Sequence, residues 1–162
     1  MIRPALPSDC AAIAAIWNPV IRDTLITFNA VEKTEDELRE TLAVKARAGH
    51  PFLVAEEAGR VLGFATYGQF RGGVGYAHTM EHTIILAPGG WGRGLGRALM
   101  AAIEEEARAR GAHSMIAGVS AANSAGVAFH AALGYATVAV LPEVGFKAGR
   151  WLDLVLMQKL LT

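Results

Sequence analysis

The chain reads as an α/β (α+β) domain, a mixed central β-sheet flanked by helices, with elements in the order ααβββαβαββ. Three observations carry that reading. The hydrophobic period switches repeatedly between the helical 3.6 and the extended 2 along 162 residues. A glycine-rich turn, "GGWGRGLG", joins an extended segment directly to an amphipathic one. No repeat, low-complexity tract or Pro/Ser-rich linker divides the chain, so it forms a single domain over residues 1–162, long enough to bury roughly 70% of its unfolded surface.

Ser8 is placed to cap a first helix whose apolar positions include Ile13, Ile16 and Trp17. Asn18-Pro19 should end it, because the residue before proline is pushed out of helical geometry. Thr24 to Val31, β-branched and aromatic, reads as an irregular loop able to touch a ligand. Thr34 with Glu37 three residues on is a capping box, and Leu38, Leu42 and Ala46 continue a second amphipathic helix to Gly49. "FLVAEEAGRVLGFATYGQF" is two apolar runs about Glu57-Ala58-Gly59-Arg60, a β-hairpin. Ala77 to Leu86 is a further strand, stopped by Pro88-Gly89-Gly90. Leu95, Ala98, Leu99, Ala102 and Ile103 have helical spacing, with the charges of "EEEARAR" on the other side. Then follow a strand (Ser114 to Val119), a helix (Asn123 to Leu133), a strand (Tyr135 to Val140), a loop rich in glycine and charge, and a last strand (Leu152 to Met157).

Composition narrows the function. Lys plus Arg (15) equal Asp plus Glu (15), so no net positive field draws nucleic acid or an anionic membrane. The lone Cys10 forms no intramolecular disulfide and suits a reducing cytoplasm. The N-terminus turns polar at Ser8-Asp9 before a signal core develops, and no apolar run nears 18 residues, so neither secretion nor membrane insertion is expected.

The stretch "HTMEH" (His78 to His82) matches H-x-x-E-H, a zinc pattern when it lies on a helix. Here Thr79, Thr83, Ile84 and Ile85 are β-branched and favour a strand. On a strand His78 and His82 share one face and Glu81 takes the other with Thr79 and Thr83, so no metal is expected. Glu81 is left as a base or as an ordinary solvated or paired strand glutamate.

A strand, a glycine turn and a helix start bring backbone N–H groups and a positive dipole end to one place, where a phosphate fits. The Walker pattern fails because no lysine follows these glycines. The Rossmann pattern fails because its last glycine falls on Arg97 or Leu99 and no acid closes the next strand. A tight turn with close helix packing is the plain alternative.

Trp91-Gly92-Arg93-Gly94-Leu95-Gly96 resembles the [QR]-x-x-G-x-[GA] pyrophosphate loop of the GNAT N-acetyltransferase superfamily. "ANSAGVAFHAALGY" resembles that family's second signature, with Asn123 and His130 at the positions that face the CoA arm. "GYAHTMEHTIILAP" and "LPEVGFKAGRWLDLVLMQK" look like the subfamily of phosphinothricin and methionine sulfone/sulfoximine acetyltransferases. The resemblance covers essentially the whole chain and implies the GNAT fold, acetyl-CoA as cosubstrate and no metal.

It further implies direct transfer in a ternary complex. Glu81 would be general base for the incoming amine, and backbone N–H groups of Ile84, Ile85 and Leu86 would bond the thioester carbonyl. Gly92, Arg93, Gly94, Leu95, Gly96 and Arg97 would hold the pyrophosphate, and His130 would protonate the departing thiolate. Trp91 stands where the loop usually begins with Arg or Gln, and Ala77 where close relatives often carry Arg before His-Thr. Arg71 is then the nearby cation for an acceptor carboxylate, and Phe28 a wall of the acceptor pocket. Lys147 and Arg150 flank Gly149 in a loop that, in the resembling subfamily, nears the active site at a homodimer interface.

The leading expectation is an N-acetyltransferase for a small amino-acid-like amine. A polyamine, an aminoglycoside or a protein N-terminus is the alternative acceptor. A catalytically silent acyl-CoA-binding module is the reading from another class.

Overall fold

A computed structural model describes residues 1–162. The elements in chain order are β1 (Ile2–Pro4), α1 (Cys10–Asp23), α2 (Glu35–Ala48), β2 (Phe52–Glu57), β3 (Arg60–Gln69), β4 (Thr79–Leu86), α3 (Leu95–Ala109), β5 (Ser114–Ser120), α4 (Ser124–Ala132), β6 (Ala136–Lys147) and β7 (Arg150–Leu160). They build one seven-stranded mixed sheet in the order β1-β2-β3-β4-β5-β7-β6. Every neighbouring pair is antiparallel except β4 and β5.

Strand alternation divides the core in two. On β2, Leu53 and Ala55 face the α3 side with Leu99, Met100 and Ile103, whereas Phe52 and Val54 face the α1/α2 side with Cys10, Ile13 and Leu38. The second helix starts and stops as its sequence says. Thr34 Oγ1 accepts the Glu37 N–H, Glu37 returns a carboxylate to the Thr34 N–H, and Gly49 closes the helix at φ +73°. The β2–β3 turn, Ala58 (φ +51°) and Gly59 (φ +74°), has the two left-handed residues of a type I′ hairpin.

Three local readings are corrected. First, α1 does not end at Asn18-Pro19; it runs through Pro19 to Asp23. Proline in a helix interior costs about 3 kcal/mol. The turn beyond it buries Ile21 completely, worth about 2–3 kcal/mol, and Thr24 Oγ1 donates to the Val20 carbonyl at 2.6 Å. Nor does Ser8 cap it: Ser8 lies in a short 3-10 turn, where Asp9 accepts the Leu6 N–H and two bonds from Arg3. Second, the segment taken as a glycine-rich loop is the far half of a long hairpin. There β6 reaches Lys147 and turns through Ala148 and Gly149 at positive φ. Register shifts after Thr137 and Leu141 break the alternation that would have marked a strand. Pro142 is tolerated because β6 is the sheet edge. Third, β1 adds a strand in front of the expected order. Three residues carry no period, and only pairing with β2 makes them a strand.

No helix is long and apolar enough to cross a membrane.

Candidate active site

The sheet comes apart at one place. Parallel pairing of β4 and β5 lasts only from Thr79↔Ser114 to Glu81↔Ile116, after which β5 pairs on its other side alone, with β7. The Ala87 N–H bonds Leu62 and the Thr79 carbonyl accepts from Phe70, so odd-numbered β4 residues direct their backbone groups to β3. By the same alternation the N–H groups of Ile84 and Leu86 point into the gap left by β5, while that of Ile85 faces β3. Of the three expected donors, Ile84 and Leu86 therefore face the gap, and Ile85 offers its side chain. A cavity of about 340 Å³ occupies the gap; Trp17, Phe28, Ile84, Gly118, Asn123 and His130 are among its walls.

Glu81 stands where the two strands part. Its side chain is on the face opposite His82 and reaches across β5, so that a Cβ at Gly118 would lie 2.7 Å from Oε2. Burial raises the carboxyl above its ordinary 4.5, with no hydrogen bond or opposing charge to bring it down. An unpaired, partly desolvated carboxylate is a stronger base than a solvated one. Glu81 and the two histidines do not converge, and no group of three or more His, Cys, Asp or Glu side chains does so anywhere in the chain.

His82 and His130 meet on the other face, Nε2 to Nε2 at 2.9 Å. The Gly126 carbonyl, 2.7 Å from His130 Nδ1, can only accept, so that nitrogen carries the hydrogen. Burial pushes His82 down to about 3 and also lowers His130, so both rings are neutral at neutral pH. His130 Nε2 is then the acceptor and His82 Nε2–H the donor; His82 Nδ1 is left buried without a partner. Tyr135, its hydroxyl also buried and unpartnered, packs edge-on against His130. The expectation that His130 protonates a thiolate meets this obstacle: both ring nitrogens are engaged, and neither directs an N–H into the cavity. Asn123 likewise spends its Oδ1 on the Gly126 N–H as the cap of α4.

The glycine turn combines both readings of it. Gly92 and Gly94 sit at φ +68° and +79°, and a Cβ at either would meet nothing within 4 Å, so backbone conformation and open approach call for glycine there. At Gly96 a Cβ would lie 3.2 Å from the Phe129 ring and 3.3 Å from Leu86, which is close helix packing. The first backbone bond of α3 is Ala98 N–H to Gly94 O, leaving the N–H groups of Leu95, Gly96 and Arg97 without helical acceptors. Arg93 pairs with Glu57, and Arg97 is exposed. Exposed Trp91 donates Nε1–H to the Leu86 carbonyl at 3.3 Å, tying the turn to the end of β4.

The loop between α1 and α2 covers the cavity with Ile26 to Asn29. Phe28 lies flat on Gly145, where a Cβ would come within 2.6 Å of its ring. Lys147 is buried and donates to the Thr27 carbonyl at 2.8 Å; burial lowers its pKa. Lys147 thus fastens its own chain's loop. Arg71 does not border the cavity; it is exposed and lies over the Tyr76 ring. Sequence reasoning missed Gly118, Gly145, Trp17 and Leu154, because no local signal sets them apart and only the packing of α1 and the strand order β4-β5-β7-β6 bring them to this part of the sheet.

The acetyltransferase (GNAT) family profile matches residues 17–135. The chain is 41% identical to the L-amino acid N-acyltransferase MnaT of Escherichia coli K12 over 157 residues, 97% of this chain and 91% of that one. It is also 41% identical to the L-methionine sulfoximine/L-methionine sulfone acetyltransferase of Salmonella typhimurium, over 97% of this chain and 92% of the relative. The structure of yncA, a putative acetyltransferase from Salmonella typhimurium with its cofactor acetyl-CoA, superposes with a TM-score of 0.95 at 39% identity, covering 100% of this chain and 94% of that one. With its sheet parted beside a glycine-turned helix, the chain belongs to the acetyltransferase (GNAT) family.

Proposed function

We propose that the protein moves an acetyl group from acetyl-CoA to the amine of a small amino-acid-like acceptor, of the phosphinothricin, methionine sulfone or methionine sulfoximine type. One observation carries the reading: the gap between β4 and β5 puts an unpaired carboxylate, Glu81, on the strand whose free N–H groups, Ile84 and Leu86, lead to the open glycine turn. The names of the relatives supply the acceptor class.

The residues fit the cosubstrate. The unsatisfied N–H groups of Leu95, Gly96 and Arg97 at the start of α3, with the open side of Gly92 and Gly94, would hold a pyrophosphate, while Arg93 is drawn aside by Glu57. Asn123, a wall of the cavity, would face the pantetheine arm. Acetyl-CoA supplies an acetyl group activated as a thioester. Everything else falls to the chain. Glu81 takes a proton from the ammonium so that its lone pair is free, and the N–H of Ile84 or Leu86 binds the carbonyl oxygen as negative charge gathers there. His130, its one N–H held by the Gly126 carbonyl, serves as a neutral wall, and solvent protonates the thiolate. Phe28 bounds the acceptor, and Lys147 acts on it indirectly by holding the loop.

No Asp or Glu is among the cavity walls, which suits a compact amino acid better than a polyamine or aminoglycoside. The edge strand β6 and its hairpin expose Val138, Val140, Val144, Phe146 and Trp151, each more than half exposed, an apolar strip that a second copy would cover. We therefore read the protein as a homodimer, its lone Cys10 buried and suited to the cytoplasm. An acetyl-CoA consumption screen over amino acid analogues, polyamines, aminoglycosides and peptides tests the acceptor; turnover confined to polyamines or peptides overturns it. Sedimentation tests the dimer, which a monomer at all concentrations refutes.

A further inference from the structure

We infer that Gly118 is a positioning residue for the reaction: its missing side chain is the space in which the Glu81 carboxylate lies. The inference rests on Glu81 as the base. Glu81, Ile116 and Gly118 share the α1/α2 face of the sheet, and Gly118 is the one exposed position in an otherwise buried strand from Ser114 to Ser120. A Cβ at Gly118 would lie 2.7 Å from Glu81 Oε2, 3.9 Å from its carboxyl carbon and 3.6 Å from Leu154. Gly118 itself is among the cavity walls. The carboxylate therefore lies over bare backbone at a residue that itself borders the cavity.

The backbone does not need glycine here, since Gly118 is not in the left-handed region. What alanine would disturb is the flexible end of one glutamate. To regain ordinary contact near 3.4 Å, Oε2 would have to retreat by about 0.7 Å (3.4 less 2.7). A folded chain absorbs that cheaply by turning a side-chain torsion. Proton transfer does not, because misplacement by about 1 Å can cost on the order of 100-fold in rate. The added methyl also excludes water from a carboxylate already held partly out of it.

The test compares Gly118→Ala, Glu81→Gln and the double variant. Gly118→Ala should lower kcat about 10- to 100-fold, leave the acetyl-CoA KM and the melting temperature near wild type, and move the acid limb of the pH profile upward. Carboxyl-carbon NMR of the protein without ligands should report the same upward movement at Glu81. The double variant should be no slower than Glu81→Gln, because Gly118 acts only through that carboxylate. Wild-type kcat in Gly118→Ala beside a crippled Glu81→Gln overturns the role of Gly118 and leaves the base intact, as do losses that simply multiply in the double variant. An active Glu81→Gln overturns the base itself.

Discussion

Replacing Glu81 with glutamine keeps the side chain's volume and removes its ability to take a proton. Acceptor α-amines ordinarily titrate at about pH 8 and are mostly protonated at neutral pH, so each turnover needs a base. A general base contributes about 10² to 10⁴ in rate, roughly 3 to 5 kcal/mol of transition-state stabilisation, and kcat should fall by that factor. The acid limb of wild-type kcat/KM should lie above 4.5, because burial raises the Glu81 carboxyl. The variant should lack that limb, and its defect should shrink at high pH as more amine arrives deprotonated. Stability should move the other way. Between 4.5 and the raised value the unfolded chain has lost a proton that the folded chain keeps, so this group's contribution falls as pH rises through that window and stays low above it. Glutamine never ionises; the variant should match wild type below pH 4.5 and melt higher at neutral pH. Steady-state kinetics from acid to alkaline pH, with calorimetry on the same samples, measure both. Wild-type kcat at every pH would refute the argument, and a variant that melts lower at neutral pH would refute the account of an unpaired, desolvated carboxylate.

Gly94→Val places a branched side chain at φ +79° and should cost about 1–2 kcal/mol in stability, while acetyl-CoA should lose most of the melting-temperature increase that it gives wild type. An undiminished increase would remove the turn from the binding site. Lys147→Ala frees the Thr27 carbonyl, costing about 1.5–3 kcal/mol, and should raise the acceptor KM several-fold with the acetyl-CoA KM unchanged. Equal changes in both would show that the loop is not an acceptor wall.

Local signals were legible without the fold. The capping box at Thr34 and Glu37, the hairpin about Glu57-Ala58-Gly59-Arg60, the amphipathic face of α3 and the opposite facing of Glu81 and His82 each depend on residues within a few positions, where backbone sterics and side-chain period act directly. The glycine turn was legible for the same reason. Errors arose where distant contacts outweigh local preference. Burial of Ile21 carries α1 through Pro19, and pairing with β7 makes a strand of the irregular stretch ending at Lys147. Arg71 stands out by its charge and Lys147 by the resemblance of its loop, yet neither signal says where a side chain lies; only packing seats one over Tyr76 and the other beneath Thr27. His130 stands out by its match to the family's second signature, but its tautomer depends on His82, 48 positions away in sequence. The gap itself is wholly tertiary: β4 and β5 part after Glu81 while β5 stays paired with β7 on its far side, and no stretch of sequence encodes that divergence alone. Sequence specified the types of group the chain carries and the faces on which they lie; the order of strands in the sheet decided which of them meet.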